Sequence, residues 1–232
     1  MKPRTFGIAA LITFLISTLF QSCLDNDEKD YSQLTIGTIK VKEEQDYYFQ
    51  LDAGGKMYPG DTTQINNYEV KDEQRSFIYF DLLDEKIPGY EYNAIIYRIE
   101  NILTKDIERI PDNLSEKEAG NDHINITNLW LTENHVNIQY QLRYDKQSDK
   151  KHLLTLAVNE NSLETAEENN EYLNLEFRHN AYDEKDNGVG SGLVSYKLKN
   201  IHNLIQGKKG LNIRYHSLYD GVRYKKVDFS TK

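Results

Sequence analysis

The 232-residue chain holds one cysteine, four prolines, two methionines and one tryptophan. A single cysteine excludes a disulfide within the chain and a cysteine-based zinc site. The shortage of proline excludes a collagen-like fold. Basic charge is also short: 28 Lys and Arg stand against 37 Asp and Glu, a formal net charge of -9. A general nucleic-acid binder needs surplus cations to displace counterions from phosphates, so that class is excluded and no nucleic-acid partner is expected. No long apolar run of about 20 residues exists to span a bilayer. The chain is rich in tyrosine, with 17 residues, and 38% of its residues are hydrophobic. That composition suits one or two packed domains and not a disordered chain.

The first segment reads as an export signal. Lys2 and Arg4 precede an uncharged run from Phe6 to Phe20, which is too short to span and right for a signal-peptide core. It ends at Phe20-Gln21-Ser22-Cys23, which resembles a bacterial lipobox, with Phe20 where Leu is usual. Residues 1–22 are then a lipoprotein signal peptide, and acyl chains such as palmitate attach to Cys23. Such chains bury methylenes at about 0.8 kcal/mol each, so the protein is anchored and not spanning. Residues 23–33 form an acidic tether. Within it Asp25, Asp27 and Glu28 resemble the signal that exports some Gram-negative lipoproteins to the outer face of the outer membrane. A merely solvated tether has the same composition.

Strand signals dominate the mature chain. Leu34 to Val41 alternates around Gly37, Tyr47 to Leu51 ends at the turn Asp52-Ala53-Gly54-Gly55, and Ser76, Ile78, Phe80 and Leu82 share a face. Tyr90 to Leu103 reads as one long strand. About five strands fit a small barrel over residues 34–108. Residues 109–120 lose periodicity and read as a linker, with a Ser115–Glu118 pair suited to one helical turn. In residues 121–232, Val136, Ile138, Tyr140, Leu142 and Tyr144 alternate with His135, Asn137, Gln139, Gln141 and Arg143. Six similar runs follow or precede it, and Asp220-Gly221 is a hairpin signal. One apolar face per strand calls for two sheets face to face, an Ig-like β-sandwich in architecture, with Trp130 in its core. The expected fold class is all-β, a five-stranded barrel of oligonucleotide/oligosaccharide-binding (OB) type followed by a sandwich. The two are expected to fold as separate units. The barrel is the acidic half: residues 31–104 carry 7 basic and 13 acidic side chains, whereas residues 121–232 carry 15 of each.

Several residues carry a family resemblance: Cys23, Gly37-Thr38-Ile39, Tyr48-Phe49-Gln50-Leu51-Asp52, Gln74-Arg75, Gly89-Tyr90-Glu91-Tyr92 and Ile102-Leu103-Thr104-Lys105. In this order they resemble the NigD-like lipoproteins. The resemblance implies an N-terminal OB-type barrel, a C-terminal β-sandwich and an association with bacteriocin systems or bacteriocin immunity. It supplies no catalytic residue, and none is expected.

The search for chemistry is otherwise sparse. His123, His135, His152, His179, His202 and His216 show no metal-ligand spacing, and His135 and His179 are expected on strand surfaces. No metal or cofactor is expected. Gly188-Val189-Gly190-Ser191-Gly192 precedes a strand, the wrong order for a phosphate loop, and reads as a flexible hairpin loop. Asp183 to Gly188 is acidic but lacks calcium-ligand spacing. The acidic run Glu160 to Glu171 reads as a solvated loop. Asp61-Thr62-Thr63 resembles an O-glycosylation signal of exported proteins, with Thr62 the acceptor. The expected function is therefore binding, by a lipoprotein of the outer membrane facing the cell surface. The ligand is a protein toxin, in the immunity version, or a surface glycan, in a nutrient-uptake accessory; a carboxylate-dependent surface hydrolase is the third reading. Tyr47, Tyr79 and Tyr97 are the tyrosines offered as contacts, since tyrosine gives large contact area at low entropy cost.

Overall fold

The computed structural model describes residues 33–43, 46–110, 120–159 and 171–229. Cys23, Asp25, Asp27, Glu28, the Ser115–Glu118 pair and residues 160–170 lie outside them.

Alternation of side chains builds the first unit. Five strands, β1 (Gln33–Glu43), β2 (Asp46–Leu51), β3 (Lys56–Asp61), β4 (Arg75–Leu82) and β5 (Tyr92–Asn101), close into a barrel in the order β1-β2-β3-β5-β4. The β3–β5 contact is parallel and the other pairs are antiparallel. Inward positions repeat every second residue. Ile39, Phe49, Met57, Ile78, Ala94 and Ile96 are fully buried, and Tyr47 joins them at 8% exposure. Tyr47 is therefore in phase with Phe49 and Leu51 inside the barrel, not on its surface as expected. Closure leaves no free strand edge on this unit.

The run from Tyr90 to Leu103 does not stay in one sheet. β5 ends at Asn101, and Ile102 is buried, its N–H bonded to the Arg75 carbonyl at 2.8 Å. β6 (Leu103–Asp106) then pairs in parallel with a strand of the second unit, and β7 (Glu108–Ile110) pairs with another in the opposite sheet. Ile107, 2% exposed, sits between them in the sandwich core. Residues 103–110 thus belong to the sandwich, although the sequence run joins most of them to the barrel.

The sandwich is completed by β8 (Ile124–Leu131), β9 (His135–Tyr144), β10 (Leu153–Asn159), β11 (Tyr172–Asn180), β12 (Gly188–Lys197), β13 (Gly210–Ser217) and β14 (Gly221–Asp228). One sheet runs β14-β13-β11-β10-β7 and the other β6-β12-β9-β8. Val136, Ile138, Leu156, Phe177, Val194, Tyr196 and Ile213 fill the space between them. A short helical turn, α1 (His202–Ile205), joins β12 to β13. The β7–β10, β11–β13 and β6–β12 pairs are parallel.

Gly188 to Gly192 are the first half of β12, paired with Tyr144 to Tyr140 of β9, and not a loop. The glycines make room for tyrosine rings. A Cβ on Gly192 would lie 2.5 Å from the Tyr140 hydroxyl, closer than any side chain tolerates.

The polar face of β9 is covered at its start, where His135 and Asn137 are buried, while Arg143 further along is exposed. Arg75, first residue of β4, points out of the barrel into the four-stranded sheet and is fully buried. Its guanidinium meets both Asp52 carboxylate oxygens at 2.5 Å, the bidentate fit that arginine geometry favours. It also donates to Thr38 Oγ1 at 3.2 Å and to Asn137 Oδ1 of β9 at 2.9 Å. Trp130 Nε1 donates to Asp52 Oδ2 at 3.0 Å. Trp130 is half-buried at this junction and is not part of the sandwich core. His135 is buried at the same junction face, 1% exposed, against the expectation of a surface position. A buried ion pair with its hydrogen bonds completed by both units clasps barrel to sandwich.

Candidate functional site

The outward positions of the barrel strands gather the chemistry that the inward positions cannot hold. On β1 these are Lys40 and Lys42, on β2 Tyr48, and on β3 Lys56 and Tyr58. Lys40 stands opposite Tyr48 in the β1–β2 register. The connection from β4 to β5 brings Pro88, Gly89 and Tyr90 over the same face, helped by the left-handed φ of 87° at Gly89. All of these but Tyr58, which packs against Tyr90 beside it, line an open concavity of about 410 Å³.

Its centre is aromatic. The Tyr90 ring lies 5.9 Å from Tyr48 and 5.2 Å from Tyr58, in edge and tilted arrangements. Lys42 Nζ sits 4.7 Å from the Tyr90 ring centre and donates to its hydroxyl. Lys56 Nζ sits 5.5 Å from the Tyr48 ring centre. These are cation–π distances. The Tyr90 hydroxyl holds the Lys42 ammonium above the ordinary lysine range. The rim carries acceptors. Asp72 Oδ1 accepts the Val41 N–H at 2.9 Å, and Glu73 pairs with Lys40. Glu91 accepts the Lys56 N–H, and that bond holds its carboxyl below the usual range. The surface thus offers ring faces, ammonium donors and carboxylate acceptors within one shallow bowl.

The tyrosines named from sequence are elsewhere. Tyr79 and Tyr97 are half-buried on β4 and β5, and Tyr97 donates to Asp81 at 2.8 Å. Tyr48 and Tyr58, which both meet Tyr90, are not among the contacts expected from sequence, nor is Tyr90. The parity signal for Tyr48 was available, because it is out of phase with Phe49 and Leu51. Nothing local brings Tyr90 to it. Thr62 follows β3 directly and leads into a 3-10 turn, Thr63–Ile65, where Thr63 N–H bonds Asp61 Oδ1 at 2.9 Å.

A second cluster lies at one end of the sandwich. His179, 2% exposed on β11, places Nδ1 3.0 Å from the His123 carbonyl and Nε2 2.9 Å from His152 Nδ1. His152 Nε2 is 2.5 Å from Glu184 Oε2. A carbonyl only accepts, so His179 Nδ1 carries the proton there, and neutral His179 accepts from His152. Burial pushes His179 below the ordinary histidine range. Hydrogen bonds from Ser148, His152 and the Asp145 N–H pull Glu184 down to about 2. The chain of bonds ties the β9–β10 and β11–β12 connections to β11. Lys146 N–H to Asn187 and Asn187 to Asp145 fasten the same acidic loop. Among the described residues no group of three His, Cys, Asp or Glu side chains is placed to hold a metal ion.

Comparison with known proteins agrees with this architecture. A solved structure from Parabacteroides distasonis ATCC 8503, described as a toxin-related protein, is 26% identical, with a TM-score of 0.70 over 85% of this chain and 92% of that one. A NigD-like immunity protein from Bacteroides caccae ATCC 43185 is 16% identical, with a TM-score of 0.60 over 83% and 91% of the two chains. A lipoprotein from Bacteroides fragilis NCTC 9343 is 13% identical, with a TM-score of 0.61 over 86% and 99%. The last two share the fold. No curated protein matches the chain in sequence. The NigD-like N-terminal OB domain matches residues 36–102, and the NigD-like C-terminal beta sandwich domain matches residues 106–229, so the chain belongs to the NigD-like family.

Proposed function

We propose that this chain is a binding protein of the cell envelope, tethered by lipid on Cys23, that holds its ligand in the barrel concavity. The observation that carries the reading is the meeting of Tyr90, from the β4–β5 connection, with Tyr48, Tyr58, Lys42 and Lys56 on the outer face of β1, β2 and β3. OB-type barrels bind oligosaccharides and oligonucleotides on this face and these loops, an analogy of fold. The acidic balance of the barrel disfavours the nucleotide half of that analogy. Catalysis by paired carboxylates is a poor fit, because the rim acids Asp72 and Glu73 are engaged by Val41 and Lys40.

The lipobox supports anchoring, and Asp25, Asp27 and Glu28 support export to the outer face of the outer membrane. On this reading Cys23→Ala is lost from the outer membrane on fractionation. The triple change of Asp25, Asp27 and Glu28 to Ala stays lipidated but is protected from proteinase added to intact cells. Equal shaving of both forms would reduce the acids to a tether.

Immunity to a bacteriocin is the second reading, favoured by the family and by the Bacteroides caccae neighbour described as an immunity protein. Here the concavity occupies a toxin rather than a glycan. One experiment covers both. The purified mature chain is titrated against a panel of surface saccharides and against candidate toxins, beside the Tyr48→Ala/Tyr90→Ala variant. Loss of binding in the variant, with its circular dichroism unchanged, supports the concavity. Undiminished binding of either ligand class in the variant places the site elsewhere.

A further inference from the structure

We infer that the concavity takes a short saccharide bearing a carboxylate, of uronic-acid type. This rests on the reading that the concavity is the binding site, and it adds the chemical class.

The charges within the bowl are unequally committed. Lys40 is paired with Glu73. Lys42 reaches a tyrosine hydroxyl and Lys56 a tyrosine ring face; Asp46 and Glu91 act on them electrostatically without an ion pair as close as that of Lys40. Both ammonium groups lie within 5.7 Å of the Tyr48 ring centre, so two cations converge over one ring. That is an unusual concentration for a unit whose residues 31–104 hold 13 acidic and 7 basic side chains. Two cations on an aromatic floor are complementary to one anionic group carried on a ring that lies against the floor.

The surroundings select a sugar over a peptide. An extended peptide gains most of its affinity by adding a strand to an open sheet edge, and this barrel is closed. A helix needs a hydrophobic groove, and the bowl has only Val41 and Pro88 as aliphatic lining. A polyacidic segment would bring further carboxylates against Asp72 and Glu73 at the rim. Sugar hydroxyls both donate and accept, so they suit a rim that alternates lysine donors with carboxylate acceptors. A volume of about 410 Å³ is in the range of small-molecule sites and suits a few sugar rings rather than a long polymer.

The test uses the purified mature chain and isothermal titration in low salt. The probes are trisaccharides that each carry a single galacturonic, glucuronic or mannuronic acid residue among neutral sugars, each beside its carboxyl-reduced neutral counterpart, with a hexaglutamate peptide as the rival ligand. At least one acidic trisaccharide is expected to bind about tenfold or more tightly than its reduced partner, a gap equal to one charge-assisted contact. Lys42→Gln/Lys56→Gln should erase that preference. Salt should weaken only the acidic ligand. Equal binding of acidic and reduced forms overturns the acidic class and leaves the concavity as the site. Preference for hexaglutamate, lost in the lysine variant, overturns the saccharide and assigns a peptide. Saccharide binding that survives Tyr48→Ala/Tyr90→Ala overturns both this inference and the site beneath it.

Discussion

His135 offers the sharpest physical test of how the two units meet. The side chain is 1% exposed, and neither ring nitrogen has a hydrogen-bond partner among the described residues. Burial above all, and then the positive charges of Arg75, Lys40 and Lys197, push its pKa down to about 3 from an ordinary 6.5. The folded protein therefore keeps His135 neutral where the unfolded chain would protonate it. A depressed folded pKa means that the stability is complete above about pH 6.5 and is lost progressively as pH falls toward 3. At about 1.4 kcal/mol per pKa unit, the full loss is about 5 kcal/mol, and at pH 5 it is already about 2 kcal/mol. The perturbation is His135→Leu, close in size and unable to titrate. The backbone bond from Thr132 N–H to the His135 carbonyl, 2.9 Å, is untouched by the change. Urea unfolding of both proteins at pH 7 and pH 5 gives four stabilities, and their double difference removes every other acid-sensitive group. The wild type should lose about 2 kcal/mol more than the variant between the two pH values, or about 4–8 °C in Tm for a chain of this size. The variant should also be no less stable at pH 7, because it relieves two unpartnered buried nitrogens. A wild-type and variant gap that is the same at both pH values, within about 0.5 kcal/mol, would refute the burial of a neutral His135 at the junction.

Three other outcomes follow from the same geometry. Arg75→Met strands the Asp52 carboxylate and should cost about 3–5 kcal/mol, while the double change Arg75→Met/Asp52→Leu costs less; urea melts of the single variant should separate barrel and sandwich transitions that coincide in the wild type. Gly192→Ala drives a methyl into the Tyr140 hydroxyl and should cost about 1–3 kcal/mol by thermal melting, and an unchanged Tm would mean that the Tyr140 ring is not held against Gly192. Glu184→Gln should remove a stability increment that the wild type has above about pH 4.5 and loses as pH falls toward 2, and should speed amide exchange in residues 181–187; unchanged exchange would show that His152 does not hold that loop.

The amino-acid sequence by itself determined the local events. Alternation marked most of the strands and which of their faces are apolar, because a period of two has one physical cause, but the glycines that open β12 carry no such signal. It therefore yielded an all-β chain, a five-stranded barrel and a sandwich, and the composition yielded an acidic net charge. Even Tyr47 was legible, since it shares its phase with Phe49 and Leu51. What alternation cannot report is what lies against a polar face. Asn137 and His135 read as solvated, and the barrel covers them through Arg75, an arginine that nothing in its neighbours marks as buried. The break at Ile102 was hidden for a similar reason: β preference is the same on both sides, while the chain passes from one unit into the other. Tyr48, Tyr58 and Tyr90 come from two strands and a loop, and Lys42 and Lys56 from β1 and β3. Successive hairpin pairing of β1, β2 and β3 gathers Tyr48, Tyr58, Lys42 and Lys56, and only the non-sequential β3–β5 pairing carries the β4–β5 connection, and with it Tyr90, over them.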